Sequence, residues 1–152
     1  MVTIRTATME DIESMYAIGL TTPEFQVSAQ NEAFMSKEEF SFAVTDSDSE
    51  FLLAESDDKE IAGFIYAGVS DKERILPDQY ACIVYLVVHP NFRRQGIAAQ
   101  LYHACEQRLK QRGVKGVYSW TSIEGDGAIQ RFFEKEGFAA GHTYRWMDKS
   151  ID

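Results

Sequence analysis

The sequence predicts a mixed α/β domain, and three observations predict it. Runs such as FLLAES, IAGFIYAGV and YACIVYLVV are rich in β-branched and aromatic residues, too short for helices, and bounded by polar turns. Between and after them lie segments with helical spacing, above all Ile97, Leu101, Ala104, Cys105 and Leu109. The 152 residues contain no repeat, low-complexity tract or linker, and their three prolines are isolated. That length fits one domain, residues 1–152, with a substantial core.

Each element follows in order. TIRTA reads as a first strand. Thr8 is placed to cap a helix over MEDIESMYAIGL, with acid in the first turn, where the helix dipole favours it. TTPEFQVSAQNEAFM is irregular, and Ser36 and Glu39 then form a capping-box pattern for a second, short helix. FLLAES and IAGFIYAGV, joined by DDKE, make a hairpin of two buried strands. The loop SDKERILPDQ leads into the strand YACIVYLVV. The helix from Ile97 ends with Lys110 and Arg112 in its last turn and Gly113 as a stop. GVYSWT is a strand, GAIQRFFEKEGF is a short helix ending at Gly137, and HTYRWMDK is a final alternating strand. A further short strand fits after Gly137. The predicted order is β-α-α-β-β-β-α-β-α-β, a mixed central sheet flanked by about four helices.

The net charge of −9, from 24 acidic and 15 basic residues, opposes nonspecific binding to nucleic acid. Much of the acid lies in TDSDSE and ESDDKE, which read as solvated turns. No apolar run approaches the roughly 18 residues that span a membrane. The start MVTIRTATMEDIESM lacks a basic region followed by an apolar one, so no secretory signal is expected. Cys82 and Cys105 have no CxxC-type neighbour and read as reduced, buried thiols of a cytoplasmic protein.

One stretch carries chemistry. VVHPNFRRQGIAAQL sets an arginine pair, a glutamine and a glycine between a strand and a helix. A helix start leaves backbone N–H groups unpaired at the positive end of the dipole, which makes an anion site. Gly96 leaves the backbone open to close approach, and Ala98 keeps the next position narrow. Arg93 and Arg94 add charge-assisted donors suited to phosphate oxygens. The sequence lacks GxxxxGK(S/T) and an N-terminal GxGxxG, so neither a P-loop nor a dinucleotide fingerprint is present. The alternatives are a pyrophosphate cradle and a helix start that is merely basic.

Arg93-Arg94-Gln95-Gly96-Ile97-Ala98 resembles the Arg/Gln-x-x-Gly-x-Gly/Ala signature of the GNAT superfamily of acyl-CoA-dependent N-acyltransferases. It also stands after a strand and before an amphipathic helix, as that family requires. AIQRFFEKEGF resembles the family's late helix, usually A-I-x-x-F/L-Y-E-K-x-G-F. The likeness spans nearly the whole chain, and residues 80–138 are its specific part. It implies the GNAT fold and acetyl-CoA as cosubstrate, with an amine acceptor on a small molecule or a protein, no metal, no membrane, and a monomer or homodimer. It also implies that the backbone around Leu86, Val87 and Val88 pairs with the pantetheine arm like an added strand. The N–H groups from Arg94 to Ala98 would hold the pyrophosphate. The thioester would lie between the strand at Cys82–Val88 and that at Gly116–Thr121, with a backbone N–H of Val87 or Val88 stabilising its oxygen.

The sequence departs from the family where protons are moved. The late-helix Tyr that often protonates the leaving thiol is here Phe133. The Glu that acts as base in some members aligns with Cys82, and in others with Thr121. The Asn that begins the late helix and contacts the cofactor aligns with Asp126. Tyr85, Tyr118 and Tyr144 are substitutes on expected strands, each better explained by packing, and water relaying the proton to bulk is an equally good account. His89 and His142 read as surface residues at strand ends. Glu24 and Glu32 lie in the segment the family uses for its acceptor wall, where a carboxylate pairs with a cationic amine. Two functions remain: an N-acetyltransferase acting on a primary amine, or a catalytically inactive CoA-binding sensor or scaffold.

Overall fold

A period of two in the central hairpin organises the domain. The computed structural model describes residues 1–21, 37–69, 79–123, 125–145 and 147–151. In β2 (Ser49–Ser56), Phe51 and Leu53 face one side while Leu52 and Ala54 face the other, all essentially buried. The sheet therefore has a core on each face. One includes Phe40, Phe51, Leu53, Phe64 and Val87, packed with α1 (Ile12–Leu20) and α2 (Lys37–Thr45). The other includes Leu52, Ile65, Ile83, Leu101, Cys105 and Phe133, packed with α3 (Ile97–Gln111) and α4 (Ala128–Lys135).

β1 (Val2–Thr6), β2, β3 (Ile61–Gly68), β4 (Tyr80–Val88) and β5 (Gly116–Ser119) lie in that order across the sheet. The first three pairings are antiparallel and β4 pairs with β5 in parallel. That parallel step requires a crossover, and α3 supplies it. Both helices that follow the arginine-rich turn end alike. Val114 and Gly113 donate to Leu109 and Lys110, and Phe138 and Gly137 to Phe133 and Glu134. These are paired C-terminal closures made possible by glycine just past the helix. Among the described residues no helix is long and apolar enough to cross a membrane.

Three expectations need correction or placing. The helix foreseen from Met9 starts as a 3-10 turn, Met9–Asp11, before α1. The predicted Ser36–Glu39 capping pair lies outside the described residues and side chains. No strand forms among the described residues after Gly137, where the sequence predicted HTYRWMDK as one. A strand is held by its ladder and a buried face. Here Tyr144 and Met147 stay 69% and 85% exposed, so neither supplies a buried face.

Arg5 pins the first strand to the first helix. Its guanidinium donates to both oxygens of Asp11 at 2.8 and 2.9 Å and to Glu55 at 2.8 Å. This contact, with a further bond from the Thr8 N–H, holds the nearly buried Asp11 carboxyl down at about 2. A depressed folded-state pKa stabilises the fold above the unfolded value and loses that contribution as pH falls. Asp11→Asn should therefore cost roughly 2 kcal/mol at neutral pH and flatten the loss of stability between about pH 4 and 2. Urea melts across that range check it, and parallel slopes in both proteins would count against the role of Asp11.

Candidate functional site

The turn before α3 is built to present donors. Pro90–Phe92 form a 3-10 turn in which the His89 ring nitrogen Nδ1 accepts from the Asn91 N–H at 3.0 Å. Arg93 is extended, and its Nε donates to the Val88 carbonyl at 3.3 Å, which ties the turn to the end of β4. Arg94 (φ 63°) and Gly96 (φ 75°) are both left-handed. Such reversals of hand gather successive N–H groups into an anion-binding concavity. The first intrahelical bond of α3 runs from the Gln100 N–H to Gly96. Among the described residues, the N–H groups of Arg94 to Ala99 donate to no protein acceptor. Six consecutive free donors at the start of a 15-residue helix match the requirements of a diphosphate. Arg93, Arg94, Gln95 and Gly96 are exposed, Ala98 is half-buried, and Ile97 anchors the turn at 3% exposure.

Beside this turn the sheet splits. β5 pairs with β4 only from Tyr80 to Ile83. The Ser119 hydroxyl donates to the Ile83 carbonyl at 2.8 Å at the last rung. Among the described residues β4 continues without a strand on that side to Val88 while staying paired to β3 on the other. The alternation of antiparallel pairing decides which groups are open. The His89 N–H donates to Ala62, so His89 and Val87 turn their polar groups to β3. Leu86 and Val88 turn theirs to the open side, as the bond from Arg93 to the Val88 carbonyl attests. Of the three residues expected along an added strand, Leu86 and Val88 are thus presented and Val87 is not. The same ladder turns the Val87 N–H toward β3 and away from the opening, and leaves the Val88 N–H facing it.

The remaining predicted residues scatter. Phe133 is 5% exposed in the cluster that includes Ile83 and Ile97, with Leu86 and Val88 packed against it. Its ring sits 4.7 Å from Phe138. Asp126 is exposed, and its Oδ1 accepts from the Ala128 N–H at 3.0 Å in the turn that leads into α4. Ala81, Ile83 and Val117 belong to the α3 side, so Cys82 and its register partner Tyr118 face the α1–α2 side. Tyr85 faces that side too, against Tyr66 at 6.3 Å. Tyr144, expected on a strand, is on none and instead meets Trp120 at 5.4 Å. Thr121 lies just past β5. His142 is exposed. Glu24 and Glu32 lie outside the described residues.

The thiols differ in setting. Burial pushes Cys105 up to about 12, so it is an inert core group, whereas Cys82 is only half-buried. Among the described residues no three His, Cys, Asp or Glu side chains cluster as metal ligands. Sequence reasoning missed Ser119, Tyr66 and the sixth donor at Ala99. Tyr66 was findable, because it falls opposite Phe51 once the hairpin is registered on DDKE.

The acetyltransferase (GNAT) family model matches residues 11–138, and the chain belongs to that family. An uncharacterized N-acetyltransferase of Methanocaldococcus jannaschii is 31% identical over 88 residues, 58% of this chain. The match spans 38% of that curated relative's length. A transcriptional regulator from Bacillus halodurans superposes with a TM-score of 0.78 at 26% identity, over 98% of this chain and 100% of that one. The PaiA N-acetyltransferase of Thermoplasma acidophilum, solved with coenzyme A, gives 0.79 at 20% identity, over 96% and 94% of the two chains. At that identity the likeness speaks for the fold.

Proposed function

We propose that the protein is an N-acetyltransferase that moves the acetyl group of acetyl-CoA to a primary amine by direct transfer in a ternary complex. The observation that carries this reading is the run of free N–H donors from Arg94 to Ala99 beside the open edge of β4. Acetyl-CoA, when bound, supplies an activated acetyl thioester. The turn holds the pyrophosphate, with Arg93 and Arg94 as charged donors and Gly96 leaving room. Leu86 and Val88 hold the pantetheine arm by main-chain pairing. The Val88 N–H is aimed to stabilise the thioester oxygen as it gains charge. Asp126 orders the start of α4, and Phe133 walls the thiol end of the cleft. Much of the rate then comes from holding amine and thioester together. The free thiols of Cys82 and Cys105 accord with a cytoplasmic setting.

A second reading, a CoA-binding scaffold without catalysis, is favoured by one feature: Phe133 and Cys82 stand where proton-transfer groups usually do. Thiol release from acetyl-CoA with a mixed panel of primary amines separates the two. Release above the amine-free control supports the enzyme. Tight CoA binding with no release by any amine would leave the scaffold.

Phe133→Tyr should preserve or raise kcat, because the new hydroxyl is added at the thiol end of the cleft, where a leaving thiolate gains from an acid. Steady-state kinetics with a thermal melt check this. A fall of more than about a hundredfold, with normal folding and CoA binding, would show that Phe133 sits elsewhere.

A further inference from the structure

The glycine inside β3 has no room for a side chain. Gly63 is the register partner of Val88, and the His89 N–H donates to Ala62, so Gly63 and Val88 form a pair without hydrogen bonds of its own. In such pairs the two backbones come closest. A Cβ on Gly63 would collide with the Val87 carbonyl oxygen, and would lie 3.2 Å from the Val88 Cα and 3.4 Å from the Leu101 Cδ1. Glycine here lets β4 sit back against β3. Any side chain would displace β4 rather than β3. Ala62, Phe64 and Ile65 are fully buried in β3, whereas Leu86 and Val88 near the end of β4 are half-buried. The direction open to β4 is the split, where among the described residues no rung joins it to β5 after Ile83.

The other wall of the split is fastened too. β5 pairs with β4 over four rungs. The Lys115 N–H donates to the Gln79 carbonyl at 2.9 Å where the ladder starts, and the Ser119 hydroxyl donates to the Ile83 carbonyl at 2.8 Å where it ends. That last bond comes from a side chain, so the residue type at position 119 fastens the point where the strands part.

Resting on the acetyltransferase reading above, we propose that Gly63 and Ser119 are positioning residues for acetyl-CoA: together they set the width of the split, Gly63 through Val88 and Ser119 through Ile83. Neither touches the reacting atoms. Gly63 keeps the Val88 N–H far enough back for a pantetheine arm to lie beside it as an added strand. Paired strands lie about 4.8 Å apart with donor–acceptor distances of about 2.7–3.2 Å, so a shift of about 1 Å in β4 spoils that pairing. Ser119 holds the fork at Ile83, which fixes how far the thioester end reaches between the strands.

The test is calorimetric titration of the full chain with CoA and with 3′-phospho-ADP, the CoA headgroup without its pantetheine arm, beside a melting curve. Gly63→Ala should weaken CoA at least about tenfold, the scale of two main-chain hydrogen bonds, and 3′-phospho-ADP by less than about twofold. The headgroup is spared because the Leu101 contact is made by the far end of a side chain, which can turn aside. Ser119→Ala should weaken CoA about fivefold with the headgroup unaffected, and Ser119→Thr, which keeps the hydroxyl, should restore it. A merely looser protein loses both ligands together, and that result overturns the proposal. So does CoA affinity within about twofold of the unmodified chain in either folded alanine variant. Should Gly63→Ala fail to fold, the two Ser119 variants decide. An unmodified chain that binds neither ligand overturns the acetyltransferase reading itself, before any variant is made.

Discussion

Gly96→Val should weaken acetyl-CoA binding at least tenfold, about 1.4 kcal/mol. Two effects add. At φ 75° a β-branched residue is strained wherever it has room, and the space a Cβ would enter contains no protein atom within 4 Å. The variant can therefore fold, at a cost of roughly 1–3 kcal/mol. The second effect appears only with ligand, because the side chain stands over the donors meant for the pyrophosphate. Gly96→Asn separates the two, since asparagine tolerates the left-handed region better than valine. Calorimetric titration of each variant, beside its melting curve, is the check. Unchanged affinity in folded Gly96→Val would move the cradle elsewhere.

The pH dependence should be just as telling. The family resemblance aligns the base positions of some members with Cys82 and of others with Thr121, neither a carboxylate. With no base at those positions, the amine itself should limit the reaction by its free-base fraction. An alkylamine with a pKa near about 10.4 is almost wholly protonated at neutral pH. Its kcat/KM should climb about tenfold per pH unit from pH 7 to 9 without a plateau. An α-amine, with a pKa of about 7.7–8.0, should level off within that range. A base on the enzyme, such as a carboxylate acting through water, would impose its own inflection whatever amine is supplied. Profiles of two amines with different pKa values decide it, and one shared inflection would defeat the base-free mechanism.

Much of this was legible in the sequence because it rests on local rules. β4 runs from Tyr80 to Val88 as its β-branched and aromatic content implied, and α3 stops at the glycine that fits a left-handed cap. The arginine-glycine turn was legible because free N–H groups at a helix start are a property of any helix. What stayed hidden depends on register and pairing. The sequence of β4 does not say that β5 lets go after Ile83, nor which of Leu86, Val87 and Val88 face the opening. A single bond from His89 to Ala62 decides that. HTYRWMDK has the alternation of a strand, but alternation alone does not make a ladder, and no strand forms there among the described residues. The contact of Tyr66 with Tyr85 needs two strands in register before it exists.

The central claim is that the 94–99 turn and the open edge of β4 hold CoA together, and backbone amide resonances report on both directly. On saturation with CoA, the amide signals of Arg94 to Ala99 and of Leu86 and Val88 should shift strongly, and that of Val87, bonded within the sheet, much less. Strong shifts confined to other parts of the chain, with Arg94 to Ala99 unmoved, would contradict the account.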